Sequence, residues 1–212
     1  MRVITIDGPA GAGKSTIARA LAARLGLEYL DTGAMYRAIT WAAMRRGLDL
    51  QDHLAIAELA RDVDLEVGEH GVMVDGLEAT AAIRTPEVTG AVSAVAANSG
   101  VRSEMRARQQ AWALIRGGGV IEGRDIGSVV FPDAELKLYL TASPRTRAER
   151  RVAEAGGDVD EIERAIATRD EYDSTRADSP LTDAHGPVVV DTTGIGVDEV
   201  LDHILRLLEQ PS

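Results

Sequence analysis

Val3, Ile4 and Ile6 form a short apolar run that stops at Asp7 and gives way to Gly8-Pro9-Ala10-Gly11-Ala12-Gly13-Lys14-Ser15. Behind it Ile17, Leu21 and Leu25 recur every four residues until Gly26, the pattern of one buried helix face with a glycine stop. Strand, glycine-rich turn and helix in that order constrain the fold strongly. The spacing Gly8-x-x-x-x-Gly13-Lys14-Ser15 is that of a phosphate-binding loop, found in its proper setting. Glycines let consecutive backbone N–H groups converge on phosphate oxygens, and the helix N-terminus adds partial positive charge. Lys14 is long enough to meet the β- and γ-phosphates, and the Ser15 hydroxyl suits a Mg²⁺ position. The expected nucleoside triphosphate site is therefore Gly8, Pro9, Ala10, Gly11, Ala12, Gly13, Lys14, Ser15 and Thr16, the ATP site if the chain is a kinase.

Further along, short apolar strands alternate with helical patterns. Strands are expected at 28–30, 120–122, 136–140 and 188–191, with a turn at Asp31-Thr32-Gly33 and a helix over 52–62. Leu65 and Val67 against Val72 and Val74 read as a hairpin across 68–71. Thr85-Pro86 and Ser143-Pro144 each pair a helix cap with a first-turn proline, and Asp160 with Glu163 resembles a capping box. Such alternation predicts an α/β three-layer sandwich whose parallel sheet is covered on both faces. The expected organisation is a single domain over 1–212. Its core is 1–62, 93–142 and 186–212, with excursions at about 63–92 and 143–185.

Composition excludes several other classes. Of 212 residues, none is Cys and 3% are aromatic, so disulfide frameworks and thiolate metal sites are out, and a cytoplasmic setting is expected. His53, His70, His185 and His203 are scattered, which argues against a histidine metal site. No apolar run approaches membrane-spanning length, and 3–6 is too short for a signal-peptide core, so no membrane partner is expected. The net charge of −11 and the scarcity of stacking rings argue against nucleic acid. That charge is not spread evenly: residues 1–47 carry seven cations against three acids. Twenty-one of the 23 cations are Arg, and Lys14 is one of only two lysines, beside Lys137.

The loop alone leaves kinase, switch and motor open. A GTPase's Asn-Lys-x-Asp reader is missing, and where a motor would carry Asp-Glu the chain has Val120-Ile121-Glu122-Gly123-Arg124-Asp125. Glu122, at a strand end, suits a Mg²⁺ held through water, or is an ordinary strand-end acid. Ile4–Ser15, Leu30-Asp31-Thr32-Gly33-Ala34-Met35-Tyr36-Arg37, Glu122–Ala134 and Arg169–Arg176 together resemble bacterial cytidylate (CMP) kinases, in order and spacing across essentially the whole chain. Glu122 and Thr32 stand where Asp and Ser are common in that family; both keep the chemistry.

The resemblance implies a P-loop sandwich with a five-stranded parallel sheet, a monophosphate-side insertion, a helical lid and a monomeric state. It also implies transfer of the ATP γ-phosphate to CMP and dCMP with Mg²⁺ at Ser15 and Glu122. Catalytic roles fall to Lys14, Arg37, Arg124 and Arg151. Arg37 and Arg124 hold the acceptor phosphate, a task suited to the planar guanidinium fork. Asp125 and Ser93 face the cytosine amino group, Arg102 donates to N3 and O2, and Thr32 joins the same site. Arg169 and Asp173 take the sugar hydroxyls, although by spacing alone they form an i,i+4 ion pair. Arg176 reaches the nucleotide on closure. Arg147 and Arg151 resemble the arginines that cover ATP, with Arg150 expected to point away. Other small P-loop kinases, acting on shikimate or a sugar acid, and a nucleotide-dependent switch are the alternatives.

Overall fold

The computed structural model describes residues 1–68, 71–175, 178, 181 and 186–209. Its main sheet has five parallel strands in the order β2-β6-β1-β7-β8, with β1 (Arg2–Asp7), β2 (Tyr29–Asp31), β6 (Gly118–Glu122), β7 (Leu136–Thr141) and β8 (Val188–Asp191). The chain divides into two compact units, 1–28 with 118–212, and 29–117. The excursion expected at 63–92 lies wholly inside the second.

In the first unit, β1 is bracketed by β6, with Ile4 opposite Val120 and Ile6 opposite Glu122, and by β7, with Ile6 opposite Leu138. Every residue of β1 after Arg2 is buried. This is why the strand reads as a continuous apolar run: both faces of a parallel sheet are covered, leaving no side for polar alternation. Helix α1 (Lys14–Leu25) lays Ile17, Ala18, Leu21 and Ala22 inward and ends on Gly26 in the left-handed conformation. Helix α8 (Val197–Glu209) packs Val200, Leu201 and Ile204 and touches α1. Helices α6 (Pro144–Ala155) and α7 (Val159–Thr175) pair with each other. The α6 cap is as expected, with the Ser143 hydroxyl accepting from the Thr146 N–H. At α7 the expected capping box is replaced: Asp158 accepts from the Glu161 N–H, while Asp160 and Glu163 pair with Arg145.

In the second unit, α2 (Thr32–Arg45) starts where a turn was expected. Asp31 caps it by accepting from the Ala34 N–H, so Asp31-Thr32-Gly33 is a helix start. Helix α2 packs on α4 (Pro86–Ala97), and α3 (His53–Asp62) packs on α5 (Ser99–Arg116). The hairpin β3 (Leu65–Gly68) and β4 (Gly71–Val74) forms in the expected register and gains a third strand, β5 (Leu77–Glu78). Among the described residues no helix is long and apolar enough to cross a membrane.

Asn98 separates α4 from α5. Its side-chain oxygen accepts from Gly100 and Val101, and its amide donates to the His53 carbonyl at the start of α3. Asn98 is buried, so truncation strands three polar groups. Asn98→Ala is expected to cost about 1–3 kcal/mol, read by urea unfolding as a lower midpoint at unchanged slope.

Candidate nucleotide and acceptor site

The carboxyl end of β1 emits the glycine loop. Gly8 has φ of 143°, and a Cβ there would lie 2.0 Å from the Leu140 carbonyl oxygen. Gly11, at φ of 77°, would meet Arg147 Cβ at 2.9 Å. Only glycine lets the loop turn this tightly against β7 and α6. Gly13 precedes α1 and brings no side-chain cap, so the first amides of that helix keep their donors for an anion. Ser15 and Thr16, in the first turn of α1, are exposed. Lys14 Nζ donates to the Pro9 carbonyl at 2.9 Å. Its pKa is lowered to about 8, first by burial and then by the Arg124 cation, partly offset by Glu122. A bound polyphosphate would restore the full charge.

Around this loop the first unit gathers most of the expected residues. Arg124 donates to the Gly8 carbonyl at 2.8 Å, and its other nitrogen lies 3.2 Å from the Asp173 carboxylate. Asp173 is buried and pairs with this arginine, which stands on a different segment of the chain. Arg169 stands within electrostatic reach of Arg124 and Asp173, and burial pushes its pKa down. Asp125 is buried beside Arg124, and Glu122 ends β6 at 3% exposure. Arg176 lies outside the described residues.

Three arginines of α6 fall in different places. Arg147, 6% exposed, donates to the Ala142 and Ala10 carbonyls and pairs with Asp170. Arg151 is exposed and pairs with Glu154 at 3.0 Å. Arg150, expected to point away, donates to the Thr192 hydroxyl and carbonyl, and its Nη1 lies 3.6 Å from where a Gly13 Cβ would sit. Positions three and four after Arg147 both lie near its face, so the helical period does not separate them; Arg150 is held inward by Thr192, whereas Arg151 is held by Glu154 on its own helix.

In the second unit, Thr32 is buried in the first turn of α2. Arg37, one turn further on, donates to the Thr89 hydroxyl at 2.7 Å and the Ile83 carbonyl at 3.2 Å. Arg84 pairs with Asp31 at 3.1 Å. Arg102 is 3% exposed, donates to the Ala96 carbonyl, and lies over the Tyr36 ring at 5.7 Å. Ser93 is half-buried on α4. The cluster of Arg102, Arg106 and Arg108 is therefore no uniform solvated face. Arg108 closes the end of α3, donating to the Ala60, Arg61 and Val63 carbonyls.

Sequence reasoning missed Asp7, Asp170, Arg150 and Tyr36. Asp170 had a signal, lying inside the Arg169–Arg176 segment; it pairs with Arg147 and accepts from the Ala10 N–H at 3.4 Å. Asp7 had one too, an acid closing the strand that feeds the loop. Its carboxylate accepts from the Ile126 and Gly127 N–H groups, and burial raises its pKa to about 6 despite those bonds.

Asp7 gives the stability a definite pH dependence. The unfolded chain releases this proton near pH 3.8 and the folded chain near 6, so the folded state binds more protons between them. Its contribution is therefore most favourable below pH 4, falls as pH rises to 6, and is flat above. The span is about 3 kcal/mol. Denaturation of the wild type and Asp7→Asn from pH 4 to 8 reads it as a stability difference that moves against the wild type by that order below pH 6.

The family described as cytidylate kinase matches residues 4–210. A bifunctional pantoate ligase/cytidylate kinase from Prochlorococcus marinus is 46% identical over 97% of this chain and 44% of that protein. One from Synechococcus elongatus is 49% identical over 97% and 41%. The chain thus spans less than half the length of these curated relatives. Among solved structures, a shikimate kinase from Acinetobacter baumannii in complex with shikimate aligns at a TM-score of 0.53 and 15% identity, covering 99% of this chain and 93% of that one. A gluconokinase from Sinorhizobium meliloti aligns at 0.52 and 14%, covering 98% and 91%. At those identities the likeness is one of fold, that of a P-loop kinase. With residues 4–210 matched by one family and curated relatives 46% and 49% identical across 97% of its length, the chain belongs to the cytidylate kinase family.

Proposed function

We propose that this protein transfers the γ-phosphate of ATP to CMP and dCMP, giving CDP and dCDP in a cytoplasmic setting. The observation that carries the reading is Arg124, an arginine of the acceptor segment bonded to Gly8 of the donor loop itself. An acceptor phosphate drawn to Arg124 is thereby held at the mouth of the loop that takes ATP. In the transfer an acceptor phosphate oxygen attacks the γ-phosphorus, the bond to the β–γ bridging oxygen breaks, and ADP leaves. Little covalent help is needed, so positioning and charge carry the rate. Lys14 and the loop amides hold the donor phosphates; Arg37 and Arg124 hold the acceptor phosphate. Asp125 accepts from the cytosine amino group and would repel the uracil carbonyl. Arg102 and Ser93 complete the base site, Arg169, Asp173 and Arg176 act on the sugar side, and Arg147 and Arg151 act over ATP.

A Mg²⁺ fits the oxygen donors here: the exposed Ser15 hydroxyl and the buried Glu122 carboxylate, whose charge already acts on Lys14. One carboxylate and one hydroxyl leave room for waters and phosphate oxygens, as this cation requires. When bound it would neutralise the β- and γ-oxygens.

The test is ADP formation with Mg·ATP across CMP, dCMP, UMP, AMP, shikimate and gluconate. CMP and dCMP are expected to lead. Equal or faster turnover of UMP or AMP overturns the cytosine reading, and turnover of a sugar acid alone overturns the acceptor class. Lys14→Met should lower kcat about 10²–10³-fold. Asp125→Ala should lose CMP over UMP preference by about 10-fold or more with ATP affinity retained.

A further inference from the structure

Asp7 closes β1 and has no part in the scheme above. Its carboxylate, 6% exposed, accepts from the Ile126 N–H at 2.9 Å and the Gly127 N–H at 2.7 Å. Those amides open a π-helical turn, Ile126–Val130, in which Phe131 donates back to the Ile126 carbonyl. The turn follows Arg124 and Asp125 directly. It comes so close to β1 that a Cβ on Gly127 would lie 2.6 Å from Thr5 Oγ1 and 3.2 Å from the Lys137 side chain. Arg124 is tied at its other end to the Gly8 carbonyl. Residues 124–127 are thus pinned to Thr5, Asp7 and Gly8, the stretch from which the phosphate loop springs.

The chemistry of the pin is specific. An ionised carboxylate is acceptor-only, so its two oxygens can serve two N–H donors at once. An amide of the same shape offers one oxygen and turns its NH₂ against the second donor. Lys14 and Asp125 are the charged groups acting on this carboxylate, in opposite directions.

We propose that Asp7 is a positioning residue for acceptor selection, holding the Arg124–Gly127 segment against β1 so that Arg124 and Asp125 meet the acceptor in fixed register with the phosphate loop. This rests on reading Arg124 and Asp125 as acceptor ligands. Asp7 touches neither substrate; it acts through the backbone it holds. Loss of the pin should leave donor binding in place while the acceptor is held loosely and its base is read poorly.

The experiment compares the wild type with Asp7→Asn at pH 7.5. ATP affinity is titrated without acceptor, kcat and KM are measured for CMP and UMP, and amide exchange at Ile126 and Gly127 is followed by NMR. Hydrogen bonds to a charged acceptor set the expected size. The variant should hold ATP within about 3-fold, raise the KM for CMP about 10-fold, and lose about 10-fold of the CMP over UMP preference. The two amides should exchange about 10-fold faster, with α8 amides unchanged. Parallel loss of ATP affinity and CMP use, or an unchanged CMP over UMP ratio, overturns the proposal. Should Asp7→Asn not fold, Gly127→Ala decides, since its methyl lifts the turn off β1 with Asp7 intact. It should give the same split between donor and acceptor, and unchanged selectivity there overturns the proposal. If the wild type favours a monophosphate other than CMP, the cytosine reading fails, and Asp7 is still judged by the exchange rates and by the KM for that monophosphate.

Discussion

The carboxyl end of β1 is where this fold and its chemistry meet. As the middle strand of five, β1 is hydrogen-bonded on both edges and buried on both faces, so its last residue cannot drift. From that fixed point the chain must turn at once, and the Leu140 carbonyl leaves no room for a Cβ at Gly8. The turn delivers loop amides and the start of α1 toward one anion. The same strand end presents the Asp7 carboxylate sideways to the Ile126 and Gly127 amides. One buried acid therefore sets the geometry of a second segment while its own strand launches the first.

The cations near this point share a habit. Lys14 rests on the Pro9 carbonyl, Arg124 on the Gly8 carbonyl, and Arg147 on those of Ala10 and Ala142. Neutral carbonyls are weaker partners than phosphate oxygens, so these bonds orient the cations without cancelling their charge. Carboxylates supply a second restraint where several arginines crowd: Asp173 beside Arg124, and Asp170 between Arg124 and Arg147. Near the loop the acids pair with arginines, so the net charge of −11 belongs to the chain as a whole and not to this site.

Features with local causes were legible in the sequence. The loop, the continuous apolar strands, the Thr85 and Ser143 caps and the hairpin register each depend on a few adjacent residues, and each stands in the structure. Features that need a distant partner were not. Asp158 displaces Asp160 as the α7 cap because Arg145, on another helix, takes Asp160. Asp31-Thr32-Gly33 is a local exception: its composition is that of a turn, yet the Asp31 side chain accepts from the Ala34 N–H and makes it a helix start. The π-helical turn after Asp125 has no periodic signature, and its first two amides are bonded to Asp7, 119 residues before Ile126. At the candidate site the family segments singled out Arg124, Asp125 and Asp173. What only the fold could supply is their order: Arg124 bonded to the loop, Asp173 beside it, and Arg150, not Arg151, against Gly13.

The central claim is that donor and acceptor phosphates meet at this strand end. Phosphorus NMR of the protein with Mg·ATP and CMP tests it most directly, because it follows the transferred group. The account predicts that the ATP γ-resonance and the CMP resonance decline together while CDP and ADP grow in equal amounts, with no inorganic phosphate released. Conversion of ATP to ADP and inorganic phosphate at the same rate with or without CMP would contradict it.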